Sequence, residues 1–528
     1  MMSHSTFDMF LNLIPALQVE MLVHWLTMKD VGMLDSALCS KMYRESFLKI
    51  LGDDHCIFEH TPELFYGGHI EWIIEKKLKV SNAKLPYYFD RDFQSQFLQT
   101  TGKSLRKLFV PDVKYLRQES LTNNIVSELS SWCTNLEELV FTDCNLSNTD
   151  VCSVLQHLPR LRHLDLHKCR NLTGAMVVNI NQNAKQLETI IFSDCSIVDD
   201  IPPNTLVRHH KIHTIEVINL GRVDKLVPFL LQCSSLRVLH VDNIHLADLL
   251  LILTERTTIR SLFASLKTSP HLTQSEFETL IGHMKHLKIL QLYLPQWEGT
   301  WGPLFDKQLL HVVHHCPQLR MLLASHIPHR YVHSEYGFGL TESIPNTQSA
   351  DKIHGAQSQL QTLVVSTIAV NTLQSLLLCC PQLTTFKIKL PGGSGEPVQW
   401  PEIMTAISKS NIKSLDLGFC DDLQGKDVLL LQNMSSLSLT FADLKHTAVV
   451  KLIGRNLHLR KLNLVYCCNL THRTLMYIVD KCKDLEELRF NNLDGNDLYD
   501  DCIDSKVVVA FVKSQRPKLK KLTVQLPN

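Results

Sequence analysis

The sequence predicts an α/β solenoid, in which short parallel strands form an inner sheet and helices lie outside it. The first observation is an apolar-x-x-apolar-x-apolar pattern that recurs 16 times among the 528 residues. The second is that most copies continue into apolar residues at helical spacing, as Leu475, Ile478 and Val479 do. One such unit cannot bury its apolar face alone, whereas stacked units can, so we predict a repeat array.

The copies of the pattern are regularly spaced and occupy residues 104–528. Their mean spacing is roughly 28 residues, within the range of about 20–29 that is typical of leucine-rich repeats. They begin at Leu105, Leu136, Leu161, Leu187, Ile212, Leu236, Ile259, Leu287, Leu319, Leu360, Leu383, Ile412, Met434, Leu459, Leu485 and Leu519.

Ten of the 16 cysteines recur at two positions of the repeat. Recurrence at the repeat period indicates small, buried structural side chains, whereas metal ligands or disulfides would require close pairs. Eight residues after the first apolar residue lie Cys144, Cys169, Cys195, Cys420 and Cys467. Three residues before the next repeat lie Cys133, Cys233, Cys316, Cys380 and Cys482.

Two stretches resemble the cysteine-containing class of leucine-rich repeats. They are LRHLDLHKCRNLT at 161–173 and LRKLNLVYCCNLT at 459–471. The resemblance covers about four fifths of the chain and implies a ribonuclease-inhibitor-like horseshoe. It also implies binding of a protein substrate, because this class serves mostly as the substrate-reading half of F-box proteins.

The first residues, 1–54, lack the repeat and contain three helical runs, 7–13, 16–26 and 31–51. The segment from Pro15 to Cys39 is similar to an F-box, the helical module that docks on a Skp-type adaptor of a cullin ubiquitin ligase. Pro15 and Leu26 are eleven residues apart, as the F-box pattern requires, although Leu17-Gln18 and Met42 depart from it. The resemblance implies that the adaptor-binding residues are Pro15, Leu22, Val23, Leu26, Val31 and Leu34.

An alternative interpretation is that this segment only caps the first repeat, as the ends of solenoids require. Residues 55–103 join it to the array as a linker or a degenerate first repeat.

Counted from the first apolar residue of each repeat, the third, fifth and seventh residues should point to the inner face of the sheet, because side chains alternate along a strand. These positions are polar in early repeats, as at His163, Asp165 and His167, and in late ones. In the middle they are apolar, and such a stripe is typical of an interface. The stripe consists of Val238, Phe263, Ile289, Tyr293, Met321, Leu323 and Val364.

Three insertions follow strands in the same region, at 294–301, 325–359 and 391–397. The first carries Trp297 and Trp301, and aromatic residues are favoured interface anchors. We predict that the stripe and these tryptophans bind the substrate. Alternatively, the insertions cover the stripe or have no binding role.

Other classes of function find little support in the sequence. The 53 basic residues balance the 53 acidic ones, which disfavours nucleic-acid or membrane-surface binding. We find no signal peptide, no stretch long enough to span a membrane and no P-loop or nucleophile elbow. His311, His314, His315 and Cys316 have metal-ligand spacing, but Cys316 belongs to a structural column.

We therefore expect a non-enzymatic, soluble protein of the cytoplasm or nucleus, with no cofactor and no metal. The leading hypothesis is a substrate-recognition subunit of an SCF-type ubiquitin ligase, whose partners are a Skp-type adaptor, a cullin and an unknown protein substrate. The second is a binding scaffold unrelated to ubiquitin, and the third is a small-GTPase regulator, for which no catalytic Arg is apparent.

Overall fold

All 16 predicted repeats form a β-strand in the computed structural model of the chain. Each strand begins two residues after the first apolar residue of its repeat, so that Leu161 precedes a strand at 163 and Leu485 precedes one at 487. These first apolar residues are buried in every repeat except the last, where Leu519 is partly exposed, and they fix the chain entering each strand. The α/β leucine-rich-repeat fold is thereby confirmed.

The structure describes residues 10, 13–26, 28–38, 41–53, 55–58, 67–85, 91–111, 121–195, 201, 205–267, 273–293, 302–324, 358–365, 368–389, 399–418, 420, 422–442, 444–467, 470, 472–491, 512 and 518–525. The chain divides into two units, Met1–Thr258 and Ile259–Asn528.

The first unit contains a two-stranded pair and a parallel sheet. The pair consists of β1 (Ile57–Phe58) and β2 (Lys79–Val80). The sheet runs in chain order through β3 (Asn82–Lys84), β4 (Lys107–Val110), β5 (Glu138–Thr142), β6 (His163–His167), β7 (Thr189–Ser193), β8 (Thr214–Ile218) and β9 (Val238–Ile244).

The second unit contains a parallel sheet of the same kind. Its strands, again in chain order, are β10 (Ser261–Leu266), β11 (Ile289–Tyr293), β12 (Met321–Ala324), β13 (Thr362–Val365), β14 (Thr385–Lys389), β15 (Ser414–Gly418), β16 (Ser436–Thr440), β17 (Lys461–Val465), β18 (Glu487–Asn491) and β19 (Lys521–Gln525).

Helices precede or follow the strands in almost every repeat. In the first unit they span Pro15–Glu20, Met28–Ala37, Lys41–Leu51, Gly67–Glu75, Arg91–Thr101, Leu121–Trp132, Asn148–His157, Gly174–Asn183, Val227–Gln232 and Leu246–Glu255. In the second unit they span Gln274–Gly282, Gly302–His315, Val370–Cys379, Trp400–Ser408, Gly425–Val428, His446–Arg455 and His472–Lys481. Residues Met21–Trp25 form a π-helical turn, and Val223–Leu226 form a 3₁₀ turn.

The strands register so that equal repeat positions lie side by side. Leu164 of β6 pairs with Ile190 of β7, which pairs with Ile215 of β8. All three are fully buried, and they form one row of the core between sheet and helices. Burial of each such side chain contributes roughly 1.5–3 kcal/mol, so the rows of apolar side chains are the main source of stability.

A left-handed turn ends many strands. Asp143, Lys168, Asp194, Phe441 and Tyr466 directly follow a strand and have φ values of 52–60°. In each case the backbone N–H of the turn residue donates to the last carbonyl of the neighbouring strand, at 2.7–3.0 Å. The turn therefore extends the hydrogen-bond ladder by one step before the chain leaves the sheet.

The two predicted cysteine columns are buried, as expected: each of the ten side chains is at most 3% exposed. Three of the five strand-exit thiols donate to carbonyls of the preceding repeat: Cys144 Sγ to Val110 O (3.7 Å), Cys195 Sγ to Leu166 O (3.1 Å) and Cys467 Sγ to Leu439 O (3.5 Å). The strand-exit column thus contributes hydrogen bonds between adjacent repeats.

The N-terminal helices differ in their bounds from the predicted runs. Pro15 begins the first described helix because its fixed φ suits the first helical position, and it holds Ile14 extended. The predicted run 16–26 is a short helix followed by the π-helical turn, and the predicted run 31–51 is two helices. Most of the predicted run 7–13 lies outside the described residues.

Asp35 joins the N-terminal helices to the helix at Gly67–Glu75. Its carboxylate, which is 4% exposed, accepts hydrogen bonds from Arg44 Nε and Nη2 (2.9 and 3.2 Å) and from Trp72 Nε1 (3.0 Å). Burial alone would raise the pKa of Asp35, but the hydrogen bonds from Arg44 and Trp72 lower it below its ordinary value. A buried, ionised carboxylate therefore fixes the helices at the start of the chain to the helix that carries Trp72.

Candidate protein-binding surfaces

The third, fifth and seventh positions of each repeat form what we call the inner face of each sheet. On β6 the side chains of His163, Asp165 and His167 are partly exposed, whereas the intervening leucines are buried against the helices. The same alternation holds on most strands of both units. The inner face is thus the sheet surface on which side chains can contact a partner.

The apolar stripe lies mainly on β10–β13 of the second unit. Ile289 pairs with Met321 at the third position, and Leu323 pairs with Val364 at the fifth. Phe263 occupies the fifth position of β10 and pairs with Gln291. These five apolar side chains are partly exposed, so the structure brings them together on one surface.

Four predicted substrate-binding residues are not placed in this group. Val238 lies at the third position of β9 in the first unit, beside Thr214. Tyr293 is the last residue of β11, at the seventh position. Trp297 and Trp301 lie outside the described residues, as do nearly all residues of the three insertions.

A charged pair borders the stripe. Val364 pairs in register with Lys387 of β14, and Lys387 Nζ lies 3.4 Å from Asp416 Oδ2 on β15. Beyond this pair the fifth position is polar, with Ser438 on β16 and Asn463 on β17. The apolar part of the inner face is therefore limited to about four strands.

The inner face of the first unit has a different composition, because acidic residues and histidines make up nearly all of its ionisable side chains. Lys107 Nζ lies 2.6 Å from Glu138 Oε1, and Glu216 Oε2 lies 3.7 Å from His240 Nδ1. The neighbouring imidazole of His240 lowers the pKa of Glu216 despite its burial. Desolvation lowers the pKa of His163.

Two carboxylates of this face have buried oxygens without a hydrogen-bond partner among the described residues, Oδ1 of Asp165 and Oδ2 of Asp242. The side chain of Asp242 is only 4% exposed, and its Oδ1 lies 3.9 Å from His240 Nε2. Burial, and then repulsion by Glu216 and Glu138, raises the pKa of Asp165 to about 6. Buried polar atoms are normally paired, so these two oxygens require an explanation.

The predicted adaptor-binding residues differ widely in exposure. Leu22 and Val31 are buried in the core of the N-terminal helices, so their side chains shape the helices and are not accessible to an adaptor. Val23, Leu26 and Leu34 are partly exposed, and Pro15 is exposed. The large apolar side chains that are exposed here are Ile14, Leu17, Met33 and Met42.

The sequence pattern did not predict that these four apolar side chains are exposed, although Leu17 and Met42 depart from the F-box pattern. Helical periodicity could have found two of them, since Met33 lies two residues from the buried Val31 and Met42 lies five residues from the buried Phe47, on different faces of their helices.

The histidine cluster on the helix Gly302–His315 is a stack of rings. The centroids of His311 and His315 are 3.9 Å apart, and Cys316 is buried with a pKa that desolvation raises to about 12. Within the described ranges, no group of three His, Cys, Asp or Glu side chains is arranged to hold a metal ion. No helix in that same part of the chain combines the length and apolar composition needed to cross a membrane.

Comparison with known proteins finds leucine-rich-repeat structures among those to which this chain is similar. No protein-family model matches it, and neither does any curated protein sequence. Rad7, in its complex with Elc1 from yeast, is 15% identical and aligns over 66% of this chain and 83% of its own, with a TM-score of 0.39.

Two bacterial structures align over similar or longer stretches. The leucine-rich-repeat-containing protein LegL7 of Legionella pneumophila is 11% identical and aligns over 67% of this chain and 97% of its own, with a TM-score of 0.35. A leucine-rich-repeat protein of Leptospira interrogans is 15% identical over 86% and 98%, with a TM-score of 0.33. The assignment of the fold rests on the strand register and helix order described above.

Proposed function

We propose that this chain is a substrate-recognition subunit of a cullin-type ubiquitin ligase. Its N-terminal helices dock on a Skp-type adaptor, and the inner face of its repeats holds a protein substrate. The observation that carries the proposal is the exposure of large apolar side chains on the N-terminal helices.

The exposed apolar side chains are concentrated at the start of the chain. Of ten exposed large hydrophobic residues among those described, four lie between residues 14 and 42. A segment that only capped the first repeat would bury its apolar side chains against that repeat and present polar ones to solvent. Exposed apolar side chains are instead typical of a surface that a second protein covers.

The second unit supplies the proposed substrate surface. Ile289, Met321, Leu323 and Val364 form neighbouring pairs on the inner face, and Lys387 borders them. An apolar centre with a polar rim is the usual composition of a protein interface. The chain then contributes proximity, because it holds the substrate near a transfer that another subunit catalyses in the cytoplasm or nucleus.

Adaptor binding tests the proposal directly. The affinity of the full chain for a purified Skp-type adaptor is measured by calorimetry, together with those of Leu17→Asp and Leu457→Asp. Leu457 is the matched control, since the two leucines are 47% and 45% exposed and Leu457 lies in a turn far in sequence from the N-terminal helices. We expect Leu17→Asp to weaken binding about tenfold or more, by placing a charge in an apolar contact, and Leu457→Asp to leave it unchanged.

A second candidate function is a binding scaffold unrelated to ubiquitin. The burial of Leu22 and Val31 favours it, since these positions are thereby removed from any adaptor contact. Absence of binding by the correctly folded wild-type chain, or equal loss in both variants, would reject the ligase proposal and leave this second one.

A further inference from the structure

We propose that the inner face of the first unit binds a basic segment of a protein partner, with Asp165, Glu216 and Asp242 as its anionic contacts. A Lys or Arg side chain of that segment lies between Asp165 and Glu216.

The charges of this face are unbalanced. At the inner-face positions of β4–β9, Lys107 is the only permanently cationic side chain, and it pairs with Glu138. The remaining basic groups facing the three carboxylates are histidines, and burial disfavours the charged form of His163. At neutral pH the face therefore presents three carboxylates without a permanent counter-charge, which is complementary to a cation.

Unsatisfied buried oxygens support this assignment independently. Oδ2 of Asp242 lies in a side chain that is 4% exposed, and neither it nor Oδ1 of Asp165 has a hydrogen-bond partner among the described residues. An ammonium or guanidinium group supplies N–H donors without accepting any bond, so at the partly exposed Asp165 and Glu216 it offsets negative charge that the buried oxygens share with no donor. A second carboxylate or an amide oxygen from a partner would be repelled.

The strand register sets the distance between the carboxylates of Asp165 and Glu216. Asp165 of β6 pairs with Ile191 of β7, and Ile191 pairs with Glu216 of β8. Strands are spaced by about 4.8 Å, so the backbones bearing the two carboxylates are about 10 Å apart. A Lys or Arg side chain can lay its aliphatic stem on Ile191 and present its charged end to both acids.

The test uses the full chain and three labelled octapeptides, in which alanine alternates with lysine, arginine or norleucine. Norleucine has the stem of lysine without the charge. Fluorescence anisotropy measures the dissociation constant of each peptide for the wild type, Asp165→Asn, Glu216→Gln and Asp416→Asn. Asp416 is the matched control, since it occupies the same fifth position in the second unit but is paired with Lys387.

We expect the lysine and arginine peptides to bind the wild type at least about tenfold more tightly than the norleucine peptide. Asp165→Asn and Glu216→Gln should each weaken that binding about tenfold, and Asp416→Asn should change it by less than about twofold. Equal binding of the norleucine peptide, or an effect of Asp416→Asn as large as that of Asp165→Asn, would overturn the proposal.

The inference rests on the proposed function only in taking the partner to be a protein. The peptide assay contains no adaptor, and the adaptor assay does not use the inner face. Failure of one therefore leaves the other standing.

Discussion

The inner faces of the two units differ although their strands follow one pattern. At the fifth position the first unit presents Asp165, Ile191 and Glu216 on neighbouring strands, whereas the second presents Leu323 and Val364. The buried fourth and sixth positions are apolar in both units. Because side chains alternate, the residues that build the core and those that meet a partner are separate sets, and one backbone can carry two kinds of surface.

The largest effect we expect concerns the apolar surface of the second unit. Leu323→Asp should lower the fluorescence of bound bis-ANS about threefold, because it places a charge in the centre of the stripe. Ser438→Asp, at the same position of β16, is the control and should have little effect. If both variants bind the dye as the wild type does, the stripe is not an accessible apolar surface.

The next effect concerns the first unit and depends on pH. Burial, followed by repulsion from Glu216 and Glu138, raises the pKa of Asp165 from its ordinary value near 3.8 to about 6. The folded protein thus holds this proton more tightly than the unfolded chain. Ionised Asp165 destabilises the fold above pH 6, the cost declines as the pH falls from 6 to 4, and below 4 it is absent.

Asp165→Asn should therefore increase the free energy of unfolding at pH 7 by about 2 kcal/mol and leave it unchanged at pH 4. Asp416→Asn should instead decrease it by up to about 1 kcal/mol, because its ion pair with Lys387 is lost. Urea denaturation monitored by hydrogen exchange in each unit measures both. A destabilised Asp165→Asn variant at pH 7 would show that this carboxylate has a structural partner.

The smallest effect concerns the turns after the strands. Lys168 has a φ of 54°, in the left-handed region of backbone conformation. The equivalent turn residues are Asp143, Asp194 and Asn219, and Asp and Asn adopt this conformation more readily than Lys. Lys168→Asn should raise stability by about 0.5–1 kcal/mol, with the exposed Arg170→Asn as a control at a position without a positive φ. A change in melting temperature equal to that of the control would contradict a strained turn at this position.

Periodicity was sufficient to predict the fold, and the reason is visible in single repeats. The first apolar residue of a repeat always lies two residues before a strand and, except for Leu519, is buried, as Leu161 and Leu485 are. The strand β3 at Asn82–Lys84 was not predicted, because Asn82, Ala83 and Lys84 contain only one apolar side chain. Pairing with β4, rather than its own composition, makes it a strand.

The surfaces were harder to predict, because they depend on packing between elements. The F-box pattern marks Leu22 and Val31 without distinguishing the buried side chains of such a helix from its exposed ones. The sequence predicted that Asp165 lies on the inner face, but it did not predict that one carboxylate oxygen lacks a hydrogen-bond partner among the described residues. That property depends on neighbouring repeats, whose residues are about 25–50 positions away in sequence. The role of Trp297 and Trp301 stays a prediction, since both lie outside the described residues.

The buried cysteines have a consequence for how this chain opens. Burial raises the pKa of Cys133, Cys233 and Cys316 to about 12, so these thiols are both shielded and protonated. Alkylation requires a thiolate in contact with solvent, which exists only while the surrounding repeat is open. Since the buried thiols recur along both units, the labelling rate of each buried cysteine would time the opening of its own repeat, with no probe added to the protein.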